Sequence, residues 1–194
     1  MITDYMKKKH VKKELQIKIK KYLEYALSVD TSLDSNEAVL NTYLNNSLKD
    51  ELISEIYGKI LIASPVFKRF ANHFMAKASL IMREKIYSPE DTIFLEYKYK
   101  DTNVYFIASG KVEIFHFFSS SYLKTLTKDE SFGEVSFFTG KPHSISARSV
   151  DFSSIYYIKR EEFILLLEEF PSEKVKLFFV FHLLIFPFRR NFMK

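Results

Sequence analysis

The sequence predicts an α+β fold in which helices come first and short antiparallel strands follow. Three observations predict it. Apolar residues recur every three or four positions in the stretches between Val11 and Met82, the spacing of one helix face. From Ser88-Pro89-Glu90-Asp91 onward the period changes to two, in short runs separated by turn residues. The two classes are segregated along the chain rather than alternating, which argues against βαβ units. Hairpin-linked strands favour a small antiparallel roll or barrel of jelly-roll type, flanked by helices.

Each element follows in order. Val11, Leu15, Ile19, Tyr22, Leu23 and Ala26 form an apolar stripe on a lysine-rich helix. Val29–Ser35 is a polar break, and Asn36 can cap a short helix carrying Ala38, Val39, Tyr43 and Leu44. Ser47-Leu48-Lys49-Asp50 fits a capping box, opening a helix with Leu48, Leu52, Ile53, Ile56 and Tyr57 on one side. Pro65 marks the next start, and Phe70–Met82 reads as a helix with Phe70, Phe74 and Ala78 facing inward. The predicted strands are Thr92–Tyr97, Val104–Ala108, Val112–Phe118, Tyr122–Leu126, Ser144–Val150 and Ser154–Ile158. Asp101-Thr102-Asn103, Ser109-Gly110-Lys111 and Ser119–Ser121 supply turns. Phe132–Phe138 is expected as a short helical turn, and Arg160–Phe170 as a helix ended by Pro171.

Composition removes several classes of function. The chain has 194 residues, of which 47% are hydrophobic and 27% charged, the balance of a soluble globular protein. Zero Cys excludes disulfide frameworks, thiolate metal sites and cysteine nucleophiles. Four Gly leave no G-x-G-x-x-G or P-loop pattern. His10, His73, His116, His143 and His182 are scattered without metal-ligand spacing, so no metal is expected. No nucleophile–base pair or paired carboxylates emerge, so no catalytic residue is assigned and an enzyme is not expected. Glu168 and Glu169 fit a solvated helix face.

Charge is segregated. Residues 1–21 hold eight Lys against Asp4 and Glu14, while the rest of the chain, with 21 basic and 22 acidic residues, is close to neutral. A solvated helix face explains this, and so does a segment lying near anionic lipid or an acidic partner. Nucleic acid is not expected as a partner, because no basic helix with base-reading residues follows. The apolar run Leu177–Phe188 is 12 residues long, too short for a membrane span of about 20. No secretory signal is visible at the polar, lysine-rich start. Leu177–Phe186 is apolar all round, which implies packing into its own roll or into a neighbour.

Three stretches carry a family resemblance: Tyr87–Phe94, Val104–Phe115, and above all Phe132-Gly133-Glu134-Val135-Ser136-Phe137-Phe138-Thr139-Gly140-Lys141-Pro142. Together with Arg160–Pro171 they resemble the cyclic nucleotide-binding domain family, the third stretch looking like its phosphate-binding cassette. Leu15–Leu27, Ala38–Leu44, Ser47–Ile62 and Ser64-Pro65-Val66-Phe67 resemble, in order and spacing, the C-linker of ether-a-go-go, hyperpolarisation-activated and cyclic-nucleotide-gated cation channels. The resemblance implies a helical C-linker over residues 1–64, a β-roll domain over 65–171 and an apolar tail over 172–194. Catabolite-activator-type factors share the roll but follow it with a helix-turn-helix, which is absent from the 23 residues after Pro171.

The implied site is Gly133, Glu134, Val135, His143 and Ser144, and the implied ligand is cAMP or cGMP, with no cofactor. Main-chain N–H groups at Gly133–Val135 could meet a phosphate, with Gly133 allowing close approach. Glu134 has the family role of accepting a ribose hydroxyl, and equally the ordinary role of compensating a helix dipole. The family's phosphate-gripping arginine is replaced by His143, which has fewer donors and is largely neutral at pH 7. Loss of a charged hydrogen bond worth roughly 1.5–3 kcal/mol would weaken binding about ten- to a hundredfold. Arg148, five residues along, is predicted by parity to face away from His143. Ser144 keeps a small hydroxyl.

The function so implied is a cytoplasmic regulatory module of a potassium or related cation channel, with cyclic-nucleotide binding weakened or lost. Implied partners are the channel's transmembrane body or other subunits, and a homo-oligomer, tetrameric in the family. Its place is the cytoplasmic face of a membrane, the chain by itself being soluble and cytoplasmic. Without voltage-sensor or pore helices ahead of the linker, it is not expected to conduct ions by itself. The alternatives are a soluble cAMP-receptor module resembling a kinase regulatory subunit, and a degenerate structural interaction domain.

Overall fold

Alternation along the strand Val104–Ser109 sets the architecture. Successive side chains of a strand point to opposite faces. Val104 and Phe106 enter one apolar cluster, while Tyr105 and Ile107 enter another. The first cluster lies between sheet and helices, and the second fills the roll.

The computed structural model describes residues 2–9, 11–30, 44–97, 101–177 and 179–180. It divides into two compact units, Met1–Asn45 and Asn46–Lys194. The first unit contains α1 (Ile2–Lys8) and α2 (Lys13–Asp30). On α2, Ile19, Tyr22 and Leu23 of the predicted stripe are half-buried and Leu15 is exposed. The helix expected after Asn36 falls on residues outside those described, apart from Leu44, which is not helical.

The second unit opens with α3 (Asn46–Ala63), a 3-10 turn (Phe67–Arg69) and α4 (Asn72–Leu80). Because α3 starts at Asn46, the cap position is Asn45, and Ser47, expected from sequence as the cap, lies two positions inside the helix. The strands are β1 (Arg83–Tyr87), β2 (Thr92–Phe94), β3 (Val104–Ser109), β4 (Val112–His116), β5 (Ser121–Leu126), β6 (Ser131–Phe132), β7 (Ser146–Ser149) and β8 (Ser153–Ile158). They form two four-stranded sheets, ordered β1-β8-β3-β6 and β2-β7-β4-β5, in which the paired strands are antiparallel. Helix α5 (Glu134–Thr139) follows β6, and α6 (Arg160–Glu168) follows β8. The mixed α+β class and the antiparallel roll are therefore as the sequence predicts.

Two differences have physical reasons. β1 is absent from the sequence expectation because Arg83, Glu84 and Lys85 are all exposed, leaving no alternation to detect. The predicted strand Thr92–Tyr97 stops at Phe94, because buried Glu96 turns to local partners. Its carboxylate accepts Phe118 N–H and pairs with His116 Nδ1, both at 3.1 Å. Its own N–H donates to Ser146 Oγ at 3.0 Å. Burial opposes ionisation of Glu96, and the hydrogen bonds from His116 and Phe118 overcome it, so its pKa lies below the usual carboxylate value.

Much of the phenylalanine content is concentrated in the helical cluster. Phe67, fully buried, lies 5.4–6.2 Å between ring centroids from Phe70, Phe106, Phe137, Phe138 and Phe163. The 3-10 turn, β3, α5 and α6 thus meet at one ring. Arg160 adds a polar tie: its Nε donates to Phe137 O at 2.8 Å, and its guanidinium packs against Gly140 at the end of α5. Residues 171–177 are helical, and Val180, 2% exposed, joins the same cluster, while Phe179 is 63% exposed. The described start of the tail thus packs on its own domain, and the rest of the apolar run lies outside the described residues.

Candidate functional site

The turn before α5 requires glycine. Gly133 has φ +90°, and a Cβ there would lie 2.7 Å from Asn103 O and 3.4 Å from His143 Cε1. The Asn103 carbonyl, Gly133 and the His143 ring are therefore in close contact. The first-turn N–H groups of Glu134 and Val135 have no intrahelical acceptor, as at any helix start.

His143 is inside the roll. It is 3% exposed, and its ring lies flat on Phe94 at 3.6 Å and 7°. Tyr105 and Phe132 stack beside them at 5.1 Å. The backbone holds this position, since His143 O accepts Tyr97 N–H at 3.0 Å. Nε2 has no hydrogen-bond partner, and the nearest charge is Asp101 Oδ1 at 4.0 Å. Burial pushes the imidazole down to about 4, with the Asp101 charge opposing it only in part. Asp101 is itself fixed: Oδ2 accepts the Tyr105 hydroxyl at 2.5 Å and Oδ1 accepts Asn103 N–H at 2.9 Å.

The other predicted residues lie around this turn without converging on one point. Glu134 Oε1 accepts the Ser131 hydroxyl at 2.5 Å. Glu134 and Val135 line a recess of about 560 Å³ with Ile60, Val66, Phe106 and Lys124. Phe106 faces the helical cluster whereas Tyr105 faces the roll, so this recess and the His143 ring lie on opposite sides of β3. Ser144 is exposed. Arg148 faces outward as parity predicts: Nε donates to Glu113 at 2.5 Å, Nη1 to Glu90 at 2.9 Å, and the guanidinium stands 5.2 Å from the Phe115 ring.

The sequence alone assigns no site role to Phe94, Asp101, Tyr105 or Ser131. Asp101 and Asn103 read only as turn formers, and nothing in their spacing announces that the turn folds over residue 143.

With this geometry established, residues 84–170 match the family model described as "Cyclic nucleotide-binding domain". These residues form a cyclic nucleotide-binding domain. The domain sits in a chain similar over most of its length to cyclic nucleotide-gated channels. It is 21% identical over 182 residues to the rod photoreceptor subunit alpha of Gallus gallus, covering 91% of this chain and 28% of that protein. It is 23% identical to a cyclic nucleotide-gated channel of Caenorhabditis elegans, covering 89% of this chain and 24% of that protein. It is 21% identical to cyclic nucleotide-gated channel alpha-2 of Bos taurus, covering 89% and 26%. The chain thus spans about a quarter of the length of these relatives. Among solved structures it is similar to "cAMP bound PfPKA-R (141-441)", with a TM-score of 0.53, 22% identity, and coverage of 66% of this chain and 43% of that one. That likeness concerns the fold. Among the described residues no helix is long and apolar enough to cross a membrane, and no group of His, Asp and Glu could hold a metal ion.

Proposed function

We propose that the chain is the regulatory, ligand-reading part of a cation channel of the cyclic-nucleotide-gated or potassium type, its helical half serving as a C-linker. The observation that carries this is the extent of the channel similarity. It covers 91% of the chain, well beyond residues 84–170, and so takes in the helices ahead of the roll. In this reading the module binds rather than catalyses. Ligand occupancy at Gly133–Val135 and His143, or contact between linker helices of neighbouring subunits, biases channel opening. Self-association as a tetramer and a position at the cytoplasmic face of a membrane belong to the same proposal.

The affinity proposed is weak. The position after Pro142 carries a buried neutral imidazole, and Arg148 is committed to Glu113 and Glu90 on the outer face. A second reading, a scaffold whose pocket no longer receives ligand, is favoured by the Phe94–His143 stack, which occupies the interior beside Gly133. Calorimetry of the full chain with cAMP and cGMP separates the two. Saturable micromolar binding supports the receptor, and absence of heat at millimolar ligand leaves the scaffold.

A further inference from the structure

His143 is a buried imidazole whose Nε2 has no partner, facing a carboxylate 4.0 Å away that is held in place by two other donors. A buried polar nitrogen with no hydrogen bond calls for an explanation. Here it marks a site one proton short of a complete network. The groups around the ring can be named element by element. The turn before β3 contributes Asp101, and β3 contributes the Tyr105 hydroxyl, bonded to Asp101. From β1, Tyr87 lies within reach of the Asp101 charge. Burial and that charge push both phenols well above their ordinary range, so neither ionises. β2 offers the apolar face of Phe94, and the turn before α5 offers Gly133 main chain. The neighbouring carboxylate of Glu134 is engaged by the Ser131 hydroxyl. Among the described residues no Lys or Arg pairs with Asp101.

With the ring neutral, this pocket carries the Asp101 charge uncompensated and repels an anion. With the ring protonated, the imidazolium sits between Asp101 and the Gly133 turn, neutralises the first and offers positive charge at the second. Each anion stabilises the same cation, so ligand and proton favour one another. We propose that an anionic ligand binding beside Gly133 draws one proton from solvent onto His143, with Asp101 as its counter-ion. The inference rests on the reading that this site takes a cyclic nucleotide, whose phosphodiester stays singly negative across the neutral range and supplies the anion. The proton goes to a ring nitrogen and no other bond changes. Burial holds the unliganded ring near 4, so uptake spans the interval between that value and the raised value in the complex. The site then reports nucleotide and acidity jointly.

The test is calorimetry of the full chain with cAMP between pH 6 and 8, in pairs of buffers that differ in ionisation enthalpy. The expected result is a buffer-dependent heat corresponding to uptake of close to one proton, and an affinity that falls about tenfold per pH unit within that interval. His143→Gln should abolish the buffer dependence, and Asp101→Asn, which removes the counter-ion, should reduce the proton uptake. Because a buried substitution could disturb folding, the histidine side-chain NMR of the unsubstituted chain gives a second measurement: one imidazole should change from neutral to cationic on ligand addition at pH 7. Binding with equal heats in both buffers and a flat pH profile overturns the inference while leaving the nucleotide reading intact. No heat at any pH, for the natural chain and for His143→Arg alike, overturns both.

Discussion

The Glu173 carboxylate accepts the backbone N–H of Ala71 at 2.9 Å, across 102 residues of sequence. Ala71 is the cap of α4, so the segment after α6 supplies the acceptor that this helix start lacks in its own sequence. Glu173 is 2% exposed, and Lys176 Nζ donates to its other oxygen at 2.9 Å. Burial disfavours the carboxylate, but the hydrogen bonds from Ala71 and Lys176 outweigh it and depress the pKa. Glu173→Ala should therefore cost about 1–3 kcal/mol in urea denaturation, with Glu173→Gln in between. A carboxylate depressed in the fold adds stability above its unfolded pKa and loses it as pH falls through the folded one. The alanine variant should lose less stability than the natural chain on acidification.

For His143 the sign is opposite in origin. Burial lowers its pKa from 6.5 to about 4, so between those values the unfolded chain binds more protons than the folded one. Its contribution is fully present above about pH 6.5 and is lost as pH falls toward 4, a difference on the order of 3 kcal/mol. His143→Phe, which keeps a ring on Phe94 but cannot titrate, should flatten the stability profile over that window. Parallel profiles for the two proteins would refute this.

Gly133→Ala places a Cβ 2.7 Å from Asn103 O at φ +90°. The turn would have to open, at a cost of about 1–3 kcal/mol. Amide shifts of Glu134 and Val135 should move more than those of α4, and a thermal melt should show the loss.

Phe67→Ala removes the ring on which five others pack, and should cost about 3–5 kcal/mol by denaturant midpoint. Phe67→Leu should recover part of it.

Arg148→Ala should cost no more than about 1 kcal/mol, because the side chain is 40% exposed and its partners are rehydrated when it leaves. Any nucleotide affinity should be unchanged. A loss of affinity would place Arg148 at the ligand.

The roll was legible where one face of a strand is buried and the other wet. Val112–His116 alternates and is found as a strand, whereas Arg83–Tyr87 pairs with β8 through its backbone while showing solvent three charged or polar side chains in a row. The short helix after Gly133 was legible from its residue types. What residue types could not convey was direction. His143 in an extended run could face solvent or the interior, and it faces the interior, stacked on Phe94 and bonded through its carbonyl to Tyr97, some fifty positions earlier. The outward course of Arg148 was recoverable, because parity from His143 needs only counting.

Arg160 ties the end of α5 to the start of α6 through Phe137 O, and Phe137 and Phe138 press on Phe163 behind it. Two short helices are thus joined by a charged peg and a wedge of rings. The Glu173–Ala71 bond carries the same chain of contacts on to α4, so the Gly133 turn and the far side of the roll belong to one continuous packing unit.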